Sequence, residues 1–501
     1  MVFYLFMGKL NIWQKKIADR RKKSSWNDFV MEIMSWDTLV LQKNGWLISR
    51  YPETDRISWV QSMLLFDAER ESFTDRWLNY DFSWSFFDNF IPLYKSIKLP
   101  STINIGSENC DFSEISIFVK NSYLSFTVVS WCENVLYSVN IKDNSRNILN
   151  SVMVWDSSEN VYMSSGILKS SNIFYSQNIL NSSDVWFSTN LIWCHDCISC
   201  NWLENQSYQI NNKQYAKEEY KTKKEELLKN KSWFESLHVK EKVKSWNVWS
   251  IKTTWSLNFY SENLNNWVYN YRVTDWKNVV LVWLPTWNKN IYDTYNAGSP
   301  IWSDMYWVMA AGWEHIYMCF HNNNWVNNFY SFLLDECSYC LWCVGLKNKK
   351  FCILNKQYSE EEWFELSDKI FMQMELDWIL WESFPASMNP YFFNDTVASM
   401  FNAWLSKDEA AMRWFMWREK ELKVDIPENS ETVKATELWD YEWFDANWNW
   451  QINKEILKKV ILWEDGNSYR IVPLEIEFLQ KNNLPLPRTH WLERIKLWFN
   501  F

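Results

Sequence analysis

A repeat of 12 residues, with one-residue insertions, runs from about Val119 to Asn205. Val, Ile, Leu or Cys recurs at its fourth and tenth positions, Ser or Cys at its seventh, and Asn or Asp at its third. A helix uses this pattern poorly, because apolar residues six apart fall on opposite helix faces. The pattern therefore predicts short strands. The frames begin at Cys132, Ser145, Ser158, Ser170, Ser182 and Cys194.

Successive frames predict a parallel β-helix-like solenoid, in which like residues stack about 4.8 Å apart along one axis. Val and Ile columns would fill the interior, and Ser or Cys columns would fit tight corners. Asn side chains would form hydrogen-bonded ladders at the turns. A set of antiparallel meanders with chance regularity is the alternative. The fourth-position column that tests this prediction contains Val135, Ile148, Val161 and Ile173.

Part of the repeat occurs twice. Residues 194–220 align without gaps on residues 337–363, at an offset of 143, with 12 of 27 positions identical. A less regular array runs from Ser245 to Tyr358, and a charged, helix-forming stretch follows each array, at 216–230 and 359–376. Such helices would act as caps, because an uncovered last coil exposes unpaired backbone groups.

The predicted fold class is mainly β, with two tandem parallel β-helix-like solenoid arrays, helical caps and small α+β terminal regions. A helix is also predicted at 407–422. The predicted regions are 1–100 (N-terminal, degenerate ribbon-like α+β), 101–215 (first array), 216–240 (helical cap or linker), 241–358 (second array), 359–422 (helical cap and loop), 423–450 (acidic linker) and 451–501 (C-terminal, degenerate ribbon-like α+β).

The composition is that of a folded, soluble protein, with 47% apolar and 22% charged residues among 501. The net charge of −10 argues against non-specific binding to nucleic acid or to an anionic membrane. The first residues do not have the form of a signal peptide, and no apolar run reaches 18 residues. We therefore expect a cytoplasmic protein with reduced thiols and no membrane partner.

Tryptophan is unusually frequent and glycine unusually rare. There are 38 Trp and only 8 Gly, whereas average usage predicts roughly 35 glycines in a chain of this length. Our hypothesis is that most of these tryptophans are UGA codons that the source organism reads as glycine. In the aligned copies, Trp202 falls on Gly345. A protein that is truly rich in tryptophan is the alternative.

Seven of the ten cysteines lie in the two repeated segments. The Cys-x2-Cys-x2-Cys spacing suits a Zn²⁺ ion held by two or three thiolates, so zinc is the candidate cofactor. The same cysteines occupy frame positions where Ser, Val and Ile stand in neighbouring frames, and buried cysteine also serves as a small apolar residue. Redox chemistry is a third reading. The candidate metal ligands are Cys194, Cys197, Cys200, Cys337, Cys340, Cys343 and Cys352.

Paired carboxylates are the other candidate chemistry. Asp143 and Asp156 share the twelfth position of successive frames, and two neighbouring carboxylates are the catalytic groups of glycoside hydrolysis. Turns also favour Asp for purely structural reasons. The chain has no phosphate-binding glycine loop and no HExxH motif.

Four segments resemble signature stretches of uncharacterised zinc-ribbon and Cys-Asn-repeat proteins of candidate-phyla bacteria. These segments are 78–90, 337–358, 384–398 and 484–497. The resemblance implies ribbon-like ends around a central Cys- and Asn-rich repeat, and it implies no known activity. Some of these lineages read UGA as glycine, which fits Trp381, Trp414 and Trp491. The ribbon cysteines are missing, since no Cys precedes Cys110 and Trp463 replaces another, so zinc is not expected at the ends.

These observations predict a non-enzymatic repeat scaffold or binding module of unknown ligand, with a protein or glycan partner. The alternatives are a zinc-dependent nucleic-acid-associated factor and a carbohydrate-active β-helix enzyme. Two basic clusters, at 15–23 and 488–496, are typical of solvated helix faces. A nucleic-acid partner is therefore not expected.

Overall fold

The computed structural model divides the chain into two compact units. One contains residues 1–105 and 244–418, and the other contains 106–243 and 419–501. The residues described are 2–44, 47–57, 60–61, 75–97, 99–110, 112–228, 247–248, 251–253, 258–259, 262–295, 303–311, 315–322, 326–401, 405–419, 426, 429–447, 449–463 and 467–498.

The prediction of a mainly β protein with a parallel solenoid is confirmed, with about 13 turns between residues 104 and 353. In the first sheet, the short strands pair in parallel from coil to coil, except for the last two, which form an antiparallel hairpin. Its strands are Asn104–Ile105, Phe112–Ile117, Lys120–Val129, Glu133–Leu136, Val139–Lys142, Arg146–Leu149, Val152–Trp155, Glu159–Tyr162, Ser165–Leu168, Ser171–Phe174, Gln177–Leu180, Ser183–Trp186, Thr189–Ile192, His195–Ile198, Asn201–Glu204, Ser207–Ile210 and Lys213–Gln214.

A second sheet has ten strands, which pair in parallel except for the last two, which form an antiparallel hairpin. The expected start of this array, Ser245, lies outside the described residues. The strands are Asn247–Val248, Ile251–Thr253, Asn258–Phe259, Glu262–Tyr295, Ser303–Ala311, Ile316–Asn322, Asn328–Phe329, Ser338–Leu341, Lys350–Ile353 and Lys356–Gln357.

Each coil of the first sheet has four sides, because nearly every third residue is left-handed. The φ angles at Asn134, Tyr137, Asn140 and Asp143 are 56°, 50°, 59° and 55°. Asn and Asp tolerate this conformation better than other non-glycine residues, which explains their recurrence at the third position. An insertion adds a second left-handed residue at one corner, as at Asn144.

The fourth-position side chains stack as predicted. Val135, Ile148, Val161 and Ile173 are in register on successive parallel strands, and all four are fully buried. The tenth-position residues form a second buried column on the opposite side of the coil. Burial of each such side chain stabilises the fold by about 1.5–3 kcal/mol. The interior of the solenoid therefore contains a pair of aliphatic columns.

The seventh-position serines also face the interior, on the sides of the coil rather than at its corners. The Ser176 hydroxyl accepts a hydrogen bond from the backbone N–H of Ser188 at 3.1 Å and donates one to the carbonyl of Phe174 at 2.8 Å. Ser164 makes the same pair of bonds one coil earlier. Each buried hydroxyl is thus satisfied by backbone groups, and this explains why a small polar residue recurs there.

The predicted asparagine ladder is present at the third position. Each side-chain amide donates to the side chain one coil further on, at distances of 2.9–3.2 Å. The ladder runs along one corner of the solenoid, and its hydrogen bonds connect each coil to the next. Its members are Asn109, Asn121, Asn134, Asn147, Asn160, Asn172 and Asp184.

The fifth-position column is covered by the C-terminal part of the same unit. Leu149, Tyr162 and Phe174 share a buried cluster with Leu438 and Ile476. Residues 432–452, which fall mostly within the predicted linker, therefore fold against the solenoid because their apolar side chains are buried there. The strands of this part are Thr432–Lys434, Glu442–Phe444, Trp450–Ile452, Val460–Leu462 and Ser468–Tyr469.

Helices lie outside the two large sheets. The helix predicted at 407–422 ends at Met412, because Trp414 is left-handed and turns the chain away. The described α-helices are Val2–Arg21, Trp26–Glu32, Phe86–Ser96, Lys217–Leu228, Glu360–Leu376, Val397–Phe401, Lys407–Met412, Pro473–Lys481 and Trp491–Lys496. The 3-10 helices are Met34–Trp36, Ala386–Met388, Phe393–Asp395, Ala435–Tyr441 and Lys454–Lys458.

The last coil of each sheet is closed by the same hydrogen bonds. Asn212 pairs its side-chain amide with both backbone groups of Asn201, at 2.8 Å each. Asn355, 143 residues further on, does the same with Val344 at 2.8 and 2.9 Å. The amide replaces the missing next strand, so that these edge groups are satisfied. A helix follows in both places, at Lys217–Leu228 and Glu360–Leu376.

Candidate functional site

The seven candidate cysteines lie inside the coils. All are buried with free thiols. Cys200 ends the seventh-position serine column, and its thiol donates to the carbonyl of Ile198 at 3.2 Å. Ser188, one coil earlier, donates to the carbonyl of Trp186 in the same way. The thiol therefore takes over the donor role of a serine hydroxyl, which agrees with the structural reading of these cysteines.

The thiols of each triplet are close enough to alter one another's acidity. A hydrogen bond from Cys197 lowers the pKa of Cys194 to about 7, and the pKa of Cys197 is raised, first by its bonds to its two neighbours and then by burial. In the second triplet, the neighbouring thiol Cys340 lowers the pKa of Cys337. Burial, followed by contacts with other thiols, raises the pKa of Cys340. Ionisation of one thiol in a triplet therefore affects the pKa of its neighbours.

The triplets are not arranged as a metal centre in this structure. Within the part of the chain that the structure describes, no group of three or more His, Cys, Asp or Glu residues is placed to hold a metal ion. Zinc at Cys194, Cys197, Cys200, Cys337, Cys340, Cys343 and Cys352 stays a prediction. Metal analysis of the purified full chain is the measurement that checks it.

The twelfth-position carboxylates form a small charged cluster with two lysines. Asp143 and Asp156 are half-buried on successive coils, and the Lys169 ammonium lies 3.8 Å from Asp156. Lys142 is 3% exposed, with its ammonium 5.7 Å from the centre of the Trp155 ring. The solenoid therefore brings together the two aspartates that the sequence singled out.

Burial changes the acidity of two members of this cluster. It raises the pKa of Asp143 to about 6, with Lys142 opposing the rise and Asp156 adding to it. It lowers the pKa of Lys142 to about 8, with Asp143 opposing the fall. A carboxyl group with a raised pKa is suited to donate a proton near neutral pH, so the cluster has the chemistry of a general acid.

Lys142→Met is expected to stabilise the protein at pH 7. The pKa of Lys142 in the folded state, about 8, lies below its ordinary value of 10.5, so the unfolded chain binds this proton more tightly. The lysine therefore lowers stability below pH 8, and the penalty fades as the pH rises to 10.5. We expect a gain of about 1–3 kcal/mol in unfolding free energy at pH 7 and little gain near pH 10.5.

Urea denaturation of the full chain across this pH range checks the prediction. Lys169→Met is the matched control, because Lys169 is exposed and pairs with Asp156 on the same edge. An equal gain for both variants, or a gain independent of pH, would contradict the assignment to the buried ammonium.

One surface of the first sheet is polar and open to solvent. We define the polar face as the asparagine ladder together with the second-position residues beside it. In its first four coils the second-position residues alternate between positive and negative charge, so that like charges do not lie next to each other on adjacent strands. Every second-position residue is exposed or half-buried. The second-position residues are Lys120, Glu133, Arg146, Glu159, Ser171, Ser183 and His195.

Two features of these sites were missed by sequence reasoning. Lys142 stands in a column where Trp155 and Leu168 follow, and a charged residue beside these apolar neighbours was the available signal. The covering of the fifth-position column had a weaker signal, namely that Leu149, Tyr162 and Phe174 are all large and apolar although they point outward.

Comparison with known proteins gave no relative. No family model, no curated protein and no solved structure matches the chain. Among the helices that the structure describes, none combines the length and the apolar character needed to cross a membrane.

Proposed function

We propose that this protein is a non-enzymatic scaffold or binding module, and that the polar face is its binding surface. The observation that supports this proposal is the contrast between two surfaces of the same coils. The fifth-position column is covered by the C-terminal part of the unit, whereas the polar face remains open and presents amide and charged groups at the strand spacing of about 4.8 Å.

The arrangement favours an extended partner, either a glycan chain or an extended protein segment. Successive coils repeat the same groups along one line, so each repeat of a linear ligand meets an equivalent set of donors and acceptors. The two arrays, in this proposal, arose by tandem duplication of a solenoid with its helical cap. The shared contacts of Asn212 and Asn355 support the duplication.

Binding of the full chain to arrays of glycans and of extended peptides tests the proposal. A variant with both Arg146→Ala and Glu159→Ala is expected to lose at least about tenfold in affinity, since both residues lie on the polar face. A variant with both Lys217→Ala and Glu218→Ala, on the helix after the last coil, is the control. Binding that the polar-face variant leaves unchanged, or no binding to either array, would contradict the proposal.

A carbohydrate-active enzyme is the second candidate function, and the Asp143 cluster favours it. In this reading Asp143 is the proton donor and Asp156 the second carboxylate, about one coil away. Release of reducing ends from a polysaccharide panel, lost in both Asp143→Asn and Asp156→Asn, would support it. No release from any polysaccharide would remove this candidate.

A further inference from the structure

The second cysteine triplet has a neighbour that the first triplet lacks. Cys340 and Cys352 are directly opposite each other on adjacent parallel strands. At the equivalent place in the first sheet, Cys197 is opposite Gln209. In-register side chains on parallel strands point the same way from backbones about 4.8 Å apart. This separation lies inside the roughly 4.4–6.8 Å that disulfide bonds span between Cα atoms, and the two Cβ atoms need to approach by only about 1 Å to reach the roughly 3.5–4.5 Å that the bond requires.

The hydrogen bonds that these two thiols donate to carbonyl oxygens are the longest in their cluster. Cys340 and Cys352 donate to carbonyl oxygens at 3.7 and 3.6 Å, whereas Cys337 does so at 3.2 Å. Losing these long bonds removes little stabilisation. Both side chains are nearly fully buried, among Leu334 and Leu346.

Cys352 belongs to the last coil of its sheet. Within its sheet, only the short antiparallel strand Lys356–Gln357 follows it, and the helix Glu360–Leu376 then packs on this coil through Trp363, which donates to the carbonyl of Cys352 at 3.2 Å. Lys350, two residues before Cys352, is exposed to solvent. Terminal elements open locally more readily than central ones. Oxidation of this buried pair requires opening of only the last coil and the helix that covers it, and not unfolding of the whole solenoid.

We propose that Cys340 and Cys352 form a disulfide bond across the last two coils when the protein meets a low-molecular-weight disulfide such as oxidised glutathione. The new bond joins the two Sγ atoms, and the S–S bond of the oxidant breaks. The two thiols supply two protons and two electrons, which appear in two molecules of reduced glutathione. Under oxidising conditions the bond links the last two coils of the second sheet covalently.

Treatment of the full chain with oxidised glutathione, followed by alkylation, digestion and mass spectrometry, tests the proposal. We expect a linked peptide pair containing Cys340 and Cys352, reversed by dithiothreitol and absent in Cys352→Ser. Cys200→Ser, in the first triplet, is the matched control and should leave the link unchanged. The oxidised protein should also resist proteolysis after Lys349 and Lys350 more than the reduced protein does.

A gain-of-function variant keeps the test independent of how Cys352→Ser folds. Gln209→Cys places a second sulfur opposite Cys197, and we expect it to create the corresponding link in the first sheet. The proposal is overturned if both thiols stay alkylatable under conditions that oxidise an exposed dithiol peptide. It is also overturned if Cys340 links instead to Cys337 or Cys343 within its own coil.

Discussion

Ile173→Ala is expected to lower the free energy of unfolding by about 3–4 kcal/mol. Ile173 is fully buried, and it lies in register between Val161 and Val185 in the fourth-position column. The backbone of each coil is hydrogen-bonded to the coils on either side. Neighbouring side chains therefore have little freedom to collapse into the space that the substitution creates. Chemical denaturation of the full chain, with the midpoint and slope compared to those of the unmodified protein, measures the loss.

Ser171→Ala is the control for this prediction. Ser171 lies two residues before Ile173 on the same strand, but its side chain is on the polar face and half-buried. We expect a change of less than about 0.5 kcal/mol. Similar losses for the two variants would contradict an aliphatic interior column at the fourth position.

The columns were predictable because the repeat length and the pairing register are the same quantity in a parallel solenoid. Residues 12 or 13 apart in sequence become direct neighbours, as Ile148 and Val161 do. The period of the sequence thus specifies the direction of the strands, their pairing register and which side chains face the interior. The side-chain ladder followed for the same reason, since like residues at a turn meet one coil later.

The corner geometry was only partly predictable. Asparagine at the third position indicated a turn there, but Tyr137 and Met153 also occupy left-handed corners and carry no such signal. There the hydrogen-bonded coils on both sides impose the backbone conformation on an unfavourable residue. The lowered pKa of Lys142 was likewise not predicted, because burial in the folded chain causes it.

Two exposed tryptophans end helices in the position that glycine usually takes. Trp378 and Trp414 have φ angles of 61° and 67° and are 68% and 73% exposed. After Trp414, the N–H of Phe415 bonds to the carbonyl of Ala410, and the N–H of Trp414 bonds to that of Ala411. This pair of bonds is the Schellman motif, whose left-handed residue is most often glycine. Trp202, aligned with Gly345, is left-handed as well.

We propose that these left-handed tryptophans are glycine in the protein as its source organism makes it. Trp378→Gly and Trp414→Gly are each expected to raise the unfolding free energy by about 1 kcal/mol, because a left-handed residue with a Cβ atom is strained by about 1–2 kcal/mol. Trp363→Gly is the control. Trp363 lies in a helix, and its fully buried side chain donates to the carbonyl of Cys352, so its replacement should lower the unfolding free energy by about 3–5 kcal/mol.

Denaturation of the three variants, with the intact mass of the protein from its natural source, distinguishes the alternatives. A natural mass equal to that of the written sequence, together with destabilisation by Trp414→Gly, would show that the tryptophans are genuine.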